Sequence, residues 1–327
     1  MRGQANFQHR HPFWRITRFV LTTVVGMLGM LSLSGFFGAY AYLLNLASHF
    51  RVQYALALLG CTILLWSVGR RKAALLALGF AVINGIEVLP IYQKPKANTS
   101  PKGTKLSLLQ LNVLSENNRF DLVGDEIERL DPDIVVMEEV TAEVYDSLAT
   151  VRAKYPYVAE TLHRTNLGVL VMSRWPLTET ELIDFDDKRL PSLVCELKIQ
   201  DSPLTLIATH PLSPRNRKKY QLRNKQLYAI AEAFNQRRSP LMMVGDLNIT
   251  SFSPIFQKFL EEIKLSDSRQ GFGIQPTWPS HLWKIARIAI DHCLLSQEIT
   301  ATHREVGNYV GSDHLPVYLE LVLSSDH

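Results

Sequence analysis

Six places in this 327-residue chain set an amide, carboxylate or imidazole side chain at the edge of a short apolar run. Asn112 follows LLQL, Glu138 and Glu139 follow DIVVM, and His210 follows LTLIAT. Asp246 and Asn248 follow LMMVG, Asp291 and His292 follow IAI, and Asp313 and His314 precede LPV. Apolar runs of this length read as strands, and the strand ends of a sheet-built domain converge on one rim. Carboxylates gathered there repel one another unless a cation lies among them. A donor set rich in carboxylate and amide oxygens, with imidazole beside it, suits Mg2+ or Mn2+. Each piece alone has a plainer use. An Asp at a strand end is more often a cap or turn residue, and a single His is more often a hydrogen-bonded surface or core group. The set and its order give the pieces weight.

The elements that position these residues follow from periodicity. Lys105–Val113, Ile134–Met137, Gly168–Ser173, Ser192–Ile199, Leu204–Thr209, Leu241–Val244, Ile288–Leu295 and Leu315–Leu323 read as strands. Phe120–Leu130 has apolar residues at helical spacing and stops at Asp131-Pro132, and Tyr220–Phe234 reads as a second helix. The expected class is α/β, with no internal repeat.

The first hundred residues are of another kind. No Asp, Glu, Lys or Arg occurs from Phe19 to Phe50 or from Val52 to Gly69, and Glu87 is the one charge from Ala73 to Gln93. A bilayer core takes about 20 apolar residues as a helix. Three membrane helices are therefore expected, at about 19–44, 52–69 and 73–92, within an anchor over 1–92. Residues 93–104 have linker composition, and the α/β domain is expected over 105–323. Residues 1–99 hold ten Lys or Arg against one acid, whereas 100–327 hold 25 basic and 30 acidic residues. The basic balance thus belongs to the anchor, and the C-terminal part is not built as a general nucleic-acid binder. Seven basic residues flank the spans on the N-terminal side (Arg2, Arg10, Arg15, Arg18, Arg70, Arg71, Lys72). Five lie on the other side (Arg51, Lys94, Lys96, Lys102, Lys105). That count points to a multi-pass protein of the cell or inner membrane with an extracytoplasmic catalytic domain. The three cysteines show no C-x-x-C spacing, which argues against cysteine-bound zinc; one disulfide stays open.

The ordered motifs resemble the endonuclease/exonuclease/phosphatase superfamily, the DNase-I-like fold, over about residues 105–323. The resemblance rests on LQLNVL, DIVVMEEV, GVLVMSRWPL, ATHPLSP, VGDLN, IDHCLLS and GSDHLPV, the last being the most specific. It implies a four-layer α/β sandwich and a divalent-metal-dependent phosphoesterase. It also implies a metal held by Glu139 with Asn112 and Asp313 nearby, and catalytic roles for His210, Asp246, Asn248, Asp291, Asp313 and His314. Asp246 is expected to orient or deprotonate the attacking water, with Asn248 fixing it. His314, oriented by Asp291, is expected to contact a non-bridging oxygen or transfer a proton, and His210 to add a donor contact. Two positions depart from the pattern. Glu138 stands where the family has Gln, and Leu114 where some nucleases carry an acid. Glu138 either assists the metal or points away into solvent.

The basic stretch Arg215-Asn216-Arg217-Lys218-Lys219, with Arg223 and Lys225, reads as a phosphate contact or a solvated helix start. Trp278 and Trp283 read as an aromatic wall or as core packing. The substrate is expected to be nucleic acid or a phospholipid or inositol phosphate, the other partner the lipid bilayer, with no obligate protein partner. The competing expectation is a non-catalytic membrane scaffold of the same fold.

Overall fold

Long charge-free runs and alternating apolar runs give the two halves of the chain different architectures. The computed structural model describes residues 12–93, 102–162, 168–184, 191–236 and 240–324, and it divides into two units at Leu89/Pro90. Arg2, Arg10 and linker residues 94–101 lie outside the described residues.

The first unit is helical: α1 Pro12–Ser34, α2 Tyr42–Ser48, α3 Arg51–Ser67 and α4 Arg71–Val88. Two helical stretches, Trp14–Phe37 and Arg71–Tyr92, are long and apolar enough to cross a membrane. The pair α2 and α3, bent by 65°, makes a third if taken as one span. The expected first helix to Leu44 is thus replaced by a break. A 3-10 turn at Gly35–Phe37 ends α1, and α2 starts at Tyr42. Gly35 permits a close approach there, since a Cβ on it would lie 2.9 Å from the Arg51 guanidinium and 3.0 Å from the Ser48 Cα. Arg51, counted among the residues flanking the expected spans, begins α3 and is 1% exposed. Its Nη1 donates to the Ser32 carbonyl at 2.6 Å and to Asn84 Oδ1 at 3.3 Å.

The second unit runs β1 Gly103–Asn112, α5 Phe120–Leu130, β2 Ile134–Val140, α6 Ala142–Ser147, α7 Ala149–Arg152, β3 Tyr157–Glu160, β4 Gly168–Ser173, β5 Leu177–Ile183, β6 Ser192–Ile199 and β7 Ser202–Ala208. It continues with α8 Arg217–Phe234, β8 Leu241–Asp246, α9 Pro254–Ile263, β9 Ser266–Asp267, β10 Asp291–Leu295, β11 Ile299–Val306 and β12 Val317–Ser324. Two six-stranded mixed sheets form an α/β sandwich, in the orders β11-β12-β1-β2-β4-β3 and β5-β6-β7-β8-β10-β9. Each holds one parallel pair, β1 with β2 and β7 with β8, joined through a helix as parallel strands must be.

Alternation places the core. Leu106 and Leu108 of β1 and Val136 of β2 meet Cys195, Leu206, Val244 and Cys293 of the second sheet. Leu109, Leu111, Val135 and Met137 point the other way, onto Val123 and Ile127 of α5 and Val144 of α6. Side chains on a strand repeat every second residue. Gln110 and Asn112 therefore continue the inward face of β1 as it reaches the sandwich rim. The expected strands are present, two with the expected bounds and the others with ends shifted by up to three residues. β3, β5, β11 and α9 were not among them. β3, β5 and β11 are edge strands, and β5 (LTETELI) buries little and reads as polar. Cys61, Cys195 and Cys293 are buried free thiols.

Candidate active site

The two parallel pairs deliver their C-terminal ends to one rim. β1 ends at Asn112, whose register partner Glu138 closes the β1–β2 ladder. β8 ends at Asp246, His210 lies just past β7, and β10 begins at Asp291 opposite Asp246. β12 runs antiparallel to β1, so residues 312–316 before it reach the same rim.

Alternation alone cannot put Glu138 and Glu139 on the same side. Glu138 shares the parity of Val136 and faces inward, so Glu139 should face the helices. The β2–β4 ladder slips between Met137 and Val140, and Glu139 takes a left-handed φ of 58°. A bulge of this kind re-aims a side chain. Glu139 consequently turns to the rim, where its Oε1 accepts from Asn112 Nδ2 at 3.2 Å and its Oε2 from the Ser115 N–H at 3.2 Å. His210 Nε2 lies 3.3 Å from the same Oε1. Burial raises the Glu139 pKa, but His210, Asn112 and the Ser115 N–H outweigh it and hold the carboxyl at about 2. Burial opposes the charge on His210, yet Glu139 and Asp246 leave its pKa raised.

Deeper between the sheets, His314 Nδ1 lies 3.0 Å from Asp291 Oδ2, and His314 Nε2 lies 3.6 Å from Asp246 Oδ2. Thr277 donates its hydroxyl to Asp291, and Gln110 Nε2 donates to Asp291 Oδ1 at 2.9 Å. Burial opposes the imidazolium, but Asp291 and Asp246 together push His314 up to about 10. The same ring holds the Asp291 pKa down against its burial. Asp246 joins the two groups. It accepts from Asn112 Nδ2 at 3.2 Å and from the Asn248 N–H at 2.9 Å, and it lies 3.6 Å from His210 Nδ1. Burial pushes it up to about 6, against the pull of His314 and with the push of Asp291.

The surroundings fix these groups. Asn248 adopts φ 53° and donates Nδ2 to the Pro211 carbonyl at 3.0 Å. Its own carbonyl accepts from Arg223 Nη1 at 2.7 Å. Arg223 is buried, and burial lowers it to about 10. It supports the rim from behind and is no part of a solvated helix start; Arg215, Arg217, Lys218 and Lys225 are exposed. Gly245 has φ 149°, and a Cβ there would sit 1.9 Å from the Thr209 carbonyl oxygen. Ser312 donates to the Asn112 carbonyl at 2.7 Å and accepts from the His314 N–H at 3.0 Å, which ties the last loop to β1.

Two expectations change. Glu138 does not point into solvent: it is 0% exposed, and Gln110 Nε2 donates to its Oε2 at 2.8 Å. Burial and then Asp291 push its carboxyl well above the ordinary range, which favours the protonated form. Trp283 is no core residue, at 85% exposed. Trp278 instead donates its indole N–H to Asp313 Oδ2 at 2.9 Å, holding a carboxylate that lies 4.0 Å from His314 Nε2.

Asp246, Asp291 and His314 offer donor atoms within 4.8 Å of one another, a group among the described residues that could hold a metal ion. It differs from the expected set of Glu139, Asn112 and Asp313. In that trio, despite burial, Asp291 and Asp246 push the His314 ring up to about 10, and a metal bound there would require the ring to give up its proton. Glu139 is ionised and 19% exposed, and the Asn112 amide lies between it and Asp246. An oxygen donor open to solvent matches a small hard cation that keeps several of its waters.

The pattern of the Endonuclease/Exonuclease/phosphatase family matches residues 109–314, from Leu109 in β1 to the His314 just described. The chain belongs to this family. Solved members of the endonuclease/exonuclease/phosphatase family share its fold. One from Bacteroides vulgatus aligns with a TM-score of 0.59 at 15% identity, covering 68% of this chain and 100% of the other. D. rerio TDP2 complexed with single strand DNA product aligns with 0.56 at 18%, covering 67% and 99%. A member from Beutenbergia cavernae aligns with 0.54 at 18%, covering 67% and 72%. No curated protein matches the sequence. Members of the endonuclease/exonuclease/phosphatase family are generally hydrolases acting on phosphoester bonds.

The rim therefore gathers Asn112, Glu139, His210, Asp246, Asn248, Asp291 and His314, with Asp313 at its exposed edge. The motifs assign no role in supporting the rim to Gln110, Thr277 or Arg223. Gln110 had a signal, an inward-facing polar residue in an otherwise apolar strand. Arg223 reads in the sequence only as part of the basic stretch, and Thr277 only as the neighbour of Trp278.

Proposed function

We propose that the protein is a membrane-anchored, divalent-metal-dependent phosphoesterase, its sandwich layered on both outer faces by helices as in this family. One observation carries the reading. An ionised Glu139 beside His210, and an imidazolium His314 backed by Asp291, converge from the two sheets on a single carboxylate, Asp246. Phosphate esters resist attack because their own negative charge repels a nucleophile. Glu139 and Asn112 are the residues that would hold Mg2+ or Mn2+, which supplies neutralisation of the phosphate and of the leaving oxygen. Asp246, fixed by the Asn248 N–H, orients the attacking water and takes its proton. His314, kept protonated by two carboxylates, donates to a non-bridging oxygen, and His210 adds a second donor on the Glu139 side. Asp291 and Asp313 hold the His314 ring and the rim beside it.

The apolar N-terminal helices support anchoring in a bilayer, and the flanking charge supports an extracytoplasmic site. Single-stranded DNA in the D. rerio relative supports a phosphodiester substrate; a phospholipid headgroup offers the same linkage, and an inositol phosphate the phosphomonoester alternative. The test is turnover by the full chain in detergent. Bis-p-nitrophenyl phosphate, a plasmid and a phospholipid panel are offered with Mg2+, Mn2+ or chelator. Metal-dependent release from at least one is expected. Failure on all of them by folded protein leaves a non-catalytic scaffold and sinks the reading.

A further inference from the structure

An excursion beside the rim is built to leave the domain. Trp278 and Ile288 pair through both backbone hydrogen bonds, at 3.0 and 2.7 Å, and close a loop over residues 279–287. The loop is braced at its base. Ser280 donates its N–H to the Asp313 carbonyl at 2.7 Å and its hydroxyl to the Ser312 carbonyl at 2.7 Å. Arg287 clamps the loop onto itself, donating to the Ser280 carbonyl at 2.6 Å and the Leu282 carbonyl at 2.7 Å. Residues 281–286 are nonetheless all exposed, between buried Ser280 and buried Ala289.

Their chemistry does not suit water. The exposed large apolar side chains described between Gly103 and Ser324 are Val158, Leu282, Trp283, Ile285 and Tyr309, so three fall within four residues. Lys284 lies among them, and no Asp or Glu occurs from Ser268 to Ile290, although residues 100–327 are acidic as a whole. Clustered exposed apolar side chains mark an interaction surface. An indole with flanking aliphatic and cationic side chains is the composition of the membrane–water interface. Helices long and apolar enough to cross a membrane lie in the same chain.

We propose that residues 279–287 form a docking element that seats Leu282, Trp283 and Ile285 in the headgroup–acyl boundary of an anionic bilayer, beside the rim carrying Asp313 and His314. The consequence, a phosphate ester presented at the bilayer surface as substrate, rests on the phosphoesterase reading; docking itself does not.

The experiment uses the full chain reconstituted in vesicles. Trp283→Cys carries an environment-sensitive fluorophore, and the three native thiols are buried and stay unlabelled. Val158→Cys carries the same fluorophore as the reference. With phosphatidylcholine–phosphatidylserine vesicles, the emission at 283 shifts to the blue and is quenched by nitroxide lipid, while that at 158 is not. Lys284→Glu or pure phosphatidylcholine weakens the response. The proposal is overturned if the label at 283 stays water-like on both vesicles, or if 158 responds equally. A response to single-stranded oligonucleotide in place of lipid also overturns it and assigns the loop to base stacking. Docking without any hydrolysis would remove the phosphoesterase reading and leave the docking element standing.

Discussion

At the residue scale Asp246 is where both halves of the site meet, with His314 Nε2 and His210 Nδ1 each 3.6 Å from its Oδ2. Asp246→Asn keeps the shape and the oxygen that accepts from Asn248, and removes the base. Steady-state hydrolysis should fall about a hundred- to ten-thousand-fold. The circular dichroism spectrum should not change; a variant near the wild-type rate would remove Asp246 from the chemistry. The residue types at the rim were legible because each stands at the edge of an apolar run. The environment of Glu138 was not. Strand alternation gives opposite directions to Glu138 and Glu139, and which of the two reaches solvent depends on a bulge that sequence does not mark. Gln110 was hidden for a related reason: one amide in LLQL looks like a lapse in a buried strand until Glu138 and Asp291 appear on either side of it.

At the scale of elements, the tight turn after β8 and the small polar core under α9 hold the rim in place. Gly245→Ala must move the Thr209 carbonyl and take a φ unfavourable to any side chain. It should destabilise by about 2–4 kcal/mol, read as an earlier denaturation midpoint of the full chain in detergent. An unchanged midpoint would mean that the turn is softer than its contacts indicate. Below β10, His292 Nε2 meets the Ile249 carbonyl at 2.7 Å, and its Nδ1 lies 3.8 Å from Asp267 Oδ2. Burial lowers His292 from 6.5 to about 4 despite Asp267. Burial also works against the Asp267 charge, but Arg269 and His292 hold it at about 2, below its ordinary 3.8. Both folded values are depressed, so both contributions are complete above the unfolded values and fade as pH falls through the folded ones. Stability should therefore decline from pH 6.5 to 4 by on the order of 3 kcal/mol through His292. Asp267 then adds a further decline from 3.8 to 2. His292→Asn should flatten the first limb and weaken the second, since Asp267 loses one of the cations that hold it down; equal slopes in both proteins would contradict the assignment. The central strands were legible because burial on both faces makes them continuously apolar. The edge strands β3, β5 and β11 were not, since one side faces water. Helix α9 carried clear signals, Ser253 as its cap, Pro254 at its first turn and Ile255, Phe256, Phe259, Leu260 and Ile263 on one face, and still went unread among the loops around it.

At the scale of the whole molecule, an apolar helical unit and an acidic α/β sandwich share one chain. The apolar stretches were legible by their lack of charge, but the break at Gly35 and the bend between α2 and α3 were not. They depend on Gly35 admitting Arg51, a contact between residues 16 positions apart. Sidedness is tested by a reporter fused after His327 that works only outside the cytoplasm: it should be active, and activity from a cytoplasmic reporter would reverse the assigned topology. The central claim is metal-dependent phosphoester hydrolysis with Glu139 holding the cation. Its most direct test is the initial rate of bis-p-nitrophenyl phosphate hydrolysis against Mn2+ concentration, for the wild-type full chain and for Glu139→Ala. The wild type should be inactive in chelator and saturate with Mn2+. Glu139→Ala should need at least about tenfold more metal for half-maximal rate. Equal metal dependence in the two proteins, or full activity in chelator, would contradict the account.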